Sequence, residues 1–229
     1  MVTLITLYSG TPGSGKSLDL ARLLYYRTQN RNRITIGNFY VNVKACGRHQ
    51  KGYYIQCENI NLRPDRLIRF SKNWQRWNHA RPKEGQFLLV IDESQIMFNA
   101  RDWQQSGRAD WLSFFTQHRK YGYDIILIAQ FDRMIDRQVR SLIEYEIVHR
   151  KVKNAGFIGF FVSIFFGGNL FVAVKIWYPM KERVSADWYV GGKKYFRIYD
   201  SFAEFSTVSE SKARGQGVPL PAPVQSDFP

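Results

Sequence analysis

Eight residues near the N-terminus, Gly10-Thr11-Pro12-Gly13-Ser14-Gly15-Lys16-Ser17, restrict what this chain can fold into more than any other stretch of it. They follow a short apolar run, Leu4–Ser9, and lead into Leu20, Leu23, Leu24 and Arg27 at helical spacing. A Gly-x-x-x-x-Gly-Lys-Ser loop between a strand and a helix is a phosphate cradle. Its glycines let backbone N–H groups curl around phosphate oxygens, and the helix N-terminus adds a positive pole. Gly10, Thr11, Pro12, Gly13, Ser14, Gly15, Lys16, Ser17 and Leu18 are therefore the expected nucleotide-binding residues, with Lys16 neutralising the β- and γ-phosphates and the Ser17 hydroxyl ligating Mg²⁺.

The runs Leu4–Ser9, Arg33–Val41, Phe87–Ile91, Ile125–Ala129 and Tyr145–His149 read as strands, several of them almost wholly apolar. Apolar strands alternating with helical-period segments, such as Trp111, Phe114, Phe115 and His118, predict an α/β fold with a mainly parallel central sheet covered on both faces. Leu88-Leu89-Val90-Ile91 ends in Asp92-Glu93. A carboxylate at the tip of a buried strand suits the hydration shell of Mg²⁺, and Glu93 beside it suits a general base for water. Solvated strand-end acids are common, so the pair gains its meaning from the loop.

The chain has no Asn-Lys-x-Asp element for reading guanine, which makes ATP the expected nucleotide. Gln130 follows the strand Ile125–Ala129, where a neutral donor and acceptor could sense the γ-phosphate; an ordinary turn residue is the alternative. Arg119, Arg137 and Arg140 are candidate arginine fingers, in the order Arg140, Arg137, Arg119, although Arg119 could instead pair with Asp124. A finger supplied by a neighbouring subunit implies a homo-oligomer, such as a ring. Neither the four histidines nor Cys46 and Cys57 have the spacing of a metal site.

Two cysteines in 229 residues cannot staple a fold of this size, and the opening MVTLITLYSG lacks the features of a signal peptide, so a reducing cytoplasm is expected. With 45% hydrophobic and 16% aromatic residues, disordered and fibrous classes are excluded. The balance of 33 Lys+Arg against 19 Asp+Glu, a net charge of +14, favours an anionic partner such as nucleic acid, a membrane surface or polyphosphate, and charge alone does not choose among them. Trp74 and Trp77, in the basic stretch RFSKNWQRWNHARPK, are candidate stacking platforms, core packing being the plainer alternative.

Residues 1–152 are expected to form the nucleotide-binding core, with 44–86 a basic, turn-rich insertion between sheet strands. Residues 153–205 form an extension in which two apolar runs, 156–166 and 170–178, turn at Gly167-Gly168-Asn169 as an antiparallel hairpin. The same runs are long enough to be weighed as a membrane span, but the central Gly-Gly-Asn and Lys175 favour the hairpin. Residues 206–229, rich in Gly and Pro, read as a flexible tail.

GTPGSGKS, LLVIDESQIMF, QHRKYGYDIILIAQ followed by MIDRQVR, and the closing YFRIYDSF together resemble the zonular occludens toxin family, assembly ATPases of filamentous phages, over roughly residues 3–202. The resemblance implies a motor-class P-loop ATPase in which one strand lies between those bearing the loop and the acid. It further implies coupling of ATP to the extrusion of single-stranded-DNA virions, with phage assembly proteins as partners at the cytoplasmic face of the host inner membrane. Family members carry a transmembrane helix and a second domain after the ATPase domain, whereas here a polar, Pro-rich stretch follows Phe205. A DNA-packaging or translocating motor shares the same sheet and charge. A nucleotide-gated scaffold with negligible hydrolysis is the reading from another class, and Glu93 argues against it because a pure binder needs no base.

Overall fold

Ile5 and Leu7 point to one side of the first strand and Tyr8 to the other, and all three are buried. Such a strand must be covered on both faces. The computed structural model describes residues 4–30, 33–47, 51–99, 107–154 and 156–199, so the expected tail at 206–229 lies outside the described residues. In chain order the elements are β1 (Ile5–Ser9), α1 (Lys16–Gln29), β2 (Ile34–Gly37), β3 (Tyr53–Gln56), α2 (Pro64–Asn78), β4 (Phe87–Ile91), α3 (Ser94–Met97), α4 (Arg108–Gln117), β5 (Tyr123–Ile128), α5 (Arg137–Arg140), β6 (Tyr145–Lys151), α6 (Gly156–Phe165), β7 (Leu170–Trp177), β8 (Glu182–Val190) and α7 (Lys193–Phe196).

The strands form one eight-stranded sheet in the order β3-β2-β4-β5-β1-β6-β7-β8. Pairing is parallel from β3 through β6 and antiparallel from β6 through β8. Alternation along the strands divides the interior in two. On one face Ile5, Leu7, Leu89, Ile125 and Leu127 meet Leu67 and Phe70 of α2 and Phe114 and Phe115 of α4. On the other, Tyr8, Leu88, Val90, Ile126 and Ile128 meet Leu20 and Leu24 of α1 and Tyr195 of α7. β5 lies between β1 and β4, the arrangement the family resemblance implies.

Three local expectations are corrected. The run Arg33–Val41 forms a strand only over Ile34–Gly37, because beyond Gly37 the Asn38 side chain, rather than its backbone, bonds to the Asp92 backbone at the end of β4. The basic segment 44–86 lies between β2 and β4 as expected, yet it is built into the sheet. Its Tyr53–Gln56 pairs in register with β2, and Phe70 packs on Phe87 with ring centroids 5.5 Å apart. A four-residue edge strand is too short for its periodicity to stand out among turn residues.

The C-terminal hairpin is present, but one element later than expected. It joins β7 to β8 through the turn at 178–181, and Gly156–Phe165 is a helix. Gly167 and Gly168 have φ of 61° and 75°, and the Gly168 N–H bonds the Ser163 carbonyl at 2.8 Å. Left-handed glycines end a helix as readily as they turn a hairpin, so the Gly-Gly signal was correct about the break and silent about what preceded it. Among the described residues no helix is long and apolar enough to cross a membrane.

If α2 is part of the core, removing the 1%-exposed Phe70 ring must leave a cavity beneath β4. Phe70→Ala is expected to lower the unfolding free energy by about 3–5 kcal/mol in urea titration. A loss below about 1 kcal/mol would mean that the segment packs loosely on the sheet.

Candidate nucleotide-binding site

The loop after β1 is tied to the neighbouring strand by the Gly10 N–H, which donates to the Gln130 carbonyl at 3.1 Å. It turns through a Ser14 N–H to Thr11 carbonyl bond of 3.1 Å and enters α1 at Gly15. Gly15 sits at φ 104°, and a Cβ there would lie 2.6 Å from the Phe171 ring, so only glycine fits. No side chain caps α1 at Gly15, leaving the N–H groups of its first turn for another acceptor. Gly13, at φ 73°, faces open space. The Ser14 hydroxyl is buried with no hydrogen-bond partner among the described residues. An uncapped helix start, open room at Gly13 and an orphaned hydroxyl are the chemistry that accepts a phosphate.

Lys16 folds back over this loop, its ammonium donating to the carbonyls of Gly10 and, at 3.3 Å, of Thr11. Burial lowers its pKa, while the negative charges of Asp92 and Glu93 oppose that shift. The electrostatic link joins the two halves of the site: loop cation and strand-end acids face one another.

Asp92 is held on three sides. Asn38 brackets its backbone, with Oδ1 accepting from the Asp92 N–H at 2.7 Å and Nδ2 donating to the Asp92 carbonyl at 2.9 Å. The Glu93 N–H donates to Asp92 Oδ1 at 2.9 Å. The hydroxyl of Tyr199 donates to Asp92 Oδ2. Burial raises the Asp92 pKa, and the bonds from Tyr199 and the Glu93 N–H pull it back. Burial and the Asp92 charge likewise push the Tyr199 phenol well above its ordinary range. Asp92, one of the two expected metal ligands, is thus tied to the C-terminal segment through a phenol oxygen. Glu93 follows with φ 47°, a left-handed conformation uncommon for a non-glycine residue, and its carboxylate accepts from Gln95 Nε2.

Asn38 and Tyr199 were missed as site residues from sequence. Tyr199 belongs to the YFRIYDSF stretch that carries the family resemblance, and that was its signal. Asn38 had none, being one polar residue at the end of a strand. His149, buried at 1% exposure, also borders the loop: its Nε2 lies 3.1 Å from Asp19 Oδ2 and its Nδ1 3.3 Å from the Ser9 carbonyl.

Gln130 meets the loop through its backbone carbonyl. Arg137 is exposed at the start of α5, whereas Arg140, at its end, is half-buried with an Nε that has no partner among the described residues. Arg119 lies in the 3₁₀ turn before β5, the sheet edge opposite the loop, and pairs with Glu144 at 2.7 Å. Its partner is therefore not Asp124, which lies instead beside Arg27 and Arg33. Trp74 packs edge-on against Phe87 at 5.7 Å and belongs to the margin of the core, while Trp77 is exposed. Beside Trp77 on the chain, Lys72, Gln75, Arg76, His79, Ala80 and Arg81 line an open cleft of about 500 Å³. Among the described residues no cluster of His, Cys, Asp and Glu is arranged to hold a metal, and Cys46 and Cys57 are buried free thiols.

The family model described as zonular occludens toxin (Zot) matches residues 4–201. Gene 1 protein of Enterobacteria phage I2-2 is 27% identical over 216 residues, covering 90% of this chain and 58% of that protein. Gene 1 protein of Salmonella phage IKe matches at the same identity and coverage, 27%, 90% and 58%. The chain thus spans 58% of the length of these relatives. Among solved structures, the N-terminal domain of zonular occludens toxin from Neisseria meningitidis superposes with a TM-score of 0.53 at 16% identity, over 87% of this chain and 100% of that domain. The shared architecture is an α/β fold around a mainly parallel sheet.

The bond from the Tyr199 phenol to Asp92 has a measurable energetic role. Tyr199→Phe deletes a hydrogen bond to a largely buried carboxylate and is expected to cost about 1.5–3 kcal/mol of stability by urea denaturation. An unchanged midpoint and slope would mean that solvent replaces the bond without penalty.

Proposed function

Because this chain belongs to the zonular occludens toxin family, we propose that it is an ATP-hydrolysing domain that drives assembly and extrusion of filamentous phage. The observation that carries this reading is the uncapped glycine loop at the end of β1, with its orphaned Ser14 hydroxyl, set one strand away from Asp92 and Glu93 at the end of β4, with β5 between. In this reading the loop from Gly10 to Leu18 binds the triphosphate, its open N–H groups and the Ser14 hydroxyl accept phosphate oxygens, and Lys16 moves from the loop carbonyls to the β- and γ-phosphates. Ser17 and Asp92 would hold Mg²⁺, which when bound neutralises phosphate charge. Glu93 is assigned as general base toward water, and the Gln130 side chain as its positioning partner. Asn38 sets the height of Asp92 and acts as a positioning residue.

The same reading places the protein in the host cytoplasm at the inner membrane, working as a homo-oligomer with other phage assembly proteins. Arg140 is the preferred finger toward a neighbouring subunit, its half-buried guanidinium having an unpartnered Nε. Arg137 ranks second. Arg119 ranks last, since Glu144 already holds it. Single-stranded DNA is a proposed partner of the basic cleft on α2. A DNA-translocating motor remains the second reading on the same observation.

Turnover separates these assignments. Lys16→Ala is expected to abolish nucleotide binding, whereas Glu93→Gln should retain ATP and lose about 100-fold or more in kcat. Equal turnover in wild type and Glu93→Gln would remove hydrolysis from the reading and leave a nucleotide-gated scaffold. Stimulation by single-stranded DNA that declines with salt supports the α2 cleft, and identical rates with and without DNA discard it.

A shared active site makes a separate prediction. Arg140→Ala is expected to lower turnover without weakening ATP binding, and mixing it with Lys16→Ala subunits should recover activity. If Arg140→Ala and Arg137→Ala each keep full turnover at every protein concentration, each subunit hydrolyses ATP unaided.

A further inference from the structure

α6 is built inside out. In a helix that packs on a protein, large apolar side chains face the core and small or polar ones face water. Here Gly159 and Ser163, one turn apart, are buried, Ser163 completely at 0% exposure. Phe157 and Phe165 are 80% and 87% exposed, and Phe161, Val162, Ile164 and Phe166 are exposed with them. The rings of Phe157 and Phe161 touch each other at 4.9 Å on the outer side. The small residues let the helix approach the protein, and its rings point away from it. A contiguous apolar patch of this kind marks a contact with something other than water.

The surrounding charge says what that is. From residue 147 to residue 181 the sequence contains no Asp or Glu. Of the cations in that interval, Lys181 is held by Asp132 and Glu146, and Lys151 and Lys175 lie over the Phe171 and Tyr145 rings, while Arg150 and Lys153 are exposed next to the helix. Lys153 flanks the helix in space as well as in sequence, lining a pocket of about 310 Å³ together with Ser163, Ile164, Gly167 and Gly168. On the adjoining hairpin, Val184, Trp188 and Val190 are exposed, and Trp188 and Val190 lie on the face of β8 opposite the buried Tyr189. Exposed aromatic rings with Arg150 and Lys153 beside them match the headgroup layer of an anionic bilayer. A second copy of the same patch would bring like charges together, which disfavours self-association through it. Ten residues make a helix of about 15 Å, half the hydrocarbon thickness of about 30 Å, so α6 lies in the surface instead of spanning it.

We propose that α6 is a membrane-docking element, seated in the interface of an anionic bilayer with Phe157, Phe161 and Phe165 at the acyl boundary and Arg150 and Lys153 against lipid phosphates. This goes beyond the assignment of nucleotide chemistry and does not depend on it. The chain touches lipid itself, in addition to any protein partner.

The test is co-sedimentation of the 229-residue chain, without nucleotide, with vesicles of phosphatidylcholine alone or with about one-third phosphatidylglycerol. Wild type is expected to bind the anionic vesicles about tenfold more tightly than the neutral ones, and Phe161→Ser with Phe165→Ser to lose about tenfold on the anionic vesicles while keeping ATP binding. Arg150→Glu with Lys153→Glu should erase the preference for anionic lipid. Should the serine variant misfold, Phe165→Trp provides the second readout: after subtraction of the wild-type spectrum from the six native tryptophans, a blue-shifted emission quenched by brominated lipid is expected. Absence of vesicle binding, equal binding by wild type and the serine variant, or an emission spectrum of the Phe165→Trp variant indifferent to lipid would each overturn the proposal. So would a serine variant that dissociates an oligomer in sedimentation velocity while its vesicle binding is untouched, which would assign the face to a second copy.

Discussion

β5 pairs in parallel register with β1 on one side and β4 on the other, and the rest of the site depends on that double pairing. Two strand spacings separate β1 from β4, about 10 Å. That gap is wide enough for a phosphate and its counter-ion between the two strand ends, and narrow enough for Lys16 to feel the charges of Asp92 and Glu93. The Gly10 N–H to Gln130 carbonyl bond extends the same ladder past the end of the strands and anchors the first residue of the loop. Were β1 and β4 direct neighbours, the loop would crowd the acid; with two strands between them, neither could act on the other's ligand.

Burying a carboxylate is costly unless every side of it is bonded. The bonds to Asp92 come from distant parts of the chain: Asn38 after β2, the backbone of Glu93, and Tyr199 at the far end of the described residues. Tyr199 is itself located by a bridge to Val41 and by its ring against Phe39 at 4.9 Å. The C-terminal segment thus closes over the acid and loop together. Its phenol bonds Asp92, so the segment after the hairpin is tied to the acid at the end of β4.

The antiparallel end of the sheet has a different character. Phe171 and Tyr189 stack across β7 and β8 with ring centroids 5.7 Å apart and pack toward α1, and the Tyr189 hydroxyl donates to the Gly15 carbonyl at 3.1 Å. One face of the hairpin therefore buttresses the loop. The other, with α6 beside it in sequence, presents aromatic and aliphatic side chains outward. The glycine loop and the apolar surface are connected through a single pair of strands.

What the sequence determined by itself was local. A Gly-rich loop ending in Lys-Ser, a wholly apolar strand ending in two acids, and helical spacing after each strand are signals carried by neighbouring residues, and each became the element it implied. The family resemblance supplied the strand between them. Only the tertiary structure decided the partners. Gly167-Gly168 has the same left-handed backbone whether it closes a hairpin or caps a helix, and the choice followed from packing Gly159 and Ser163 inward. Arg119 took Glu144 instead of Asp124 because the turn before β5 lies beside the start of β6. Tyr53–Gln56 became a strand because β2 offered it an unpaired edge. Asn38 and Tyr199 gained roles when folding brought them to Asp92, because a hydrogen bond between residues 54 or 107 positions apart leaves no periodic trace in a sequence.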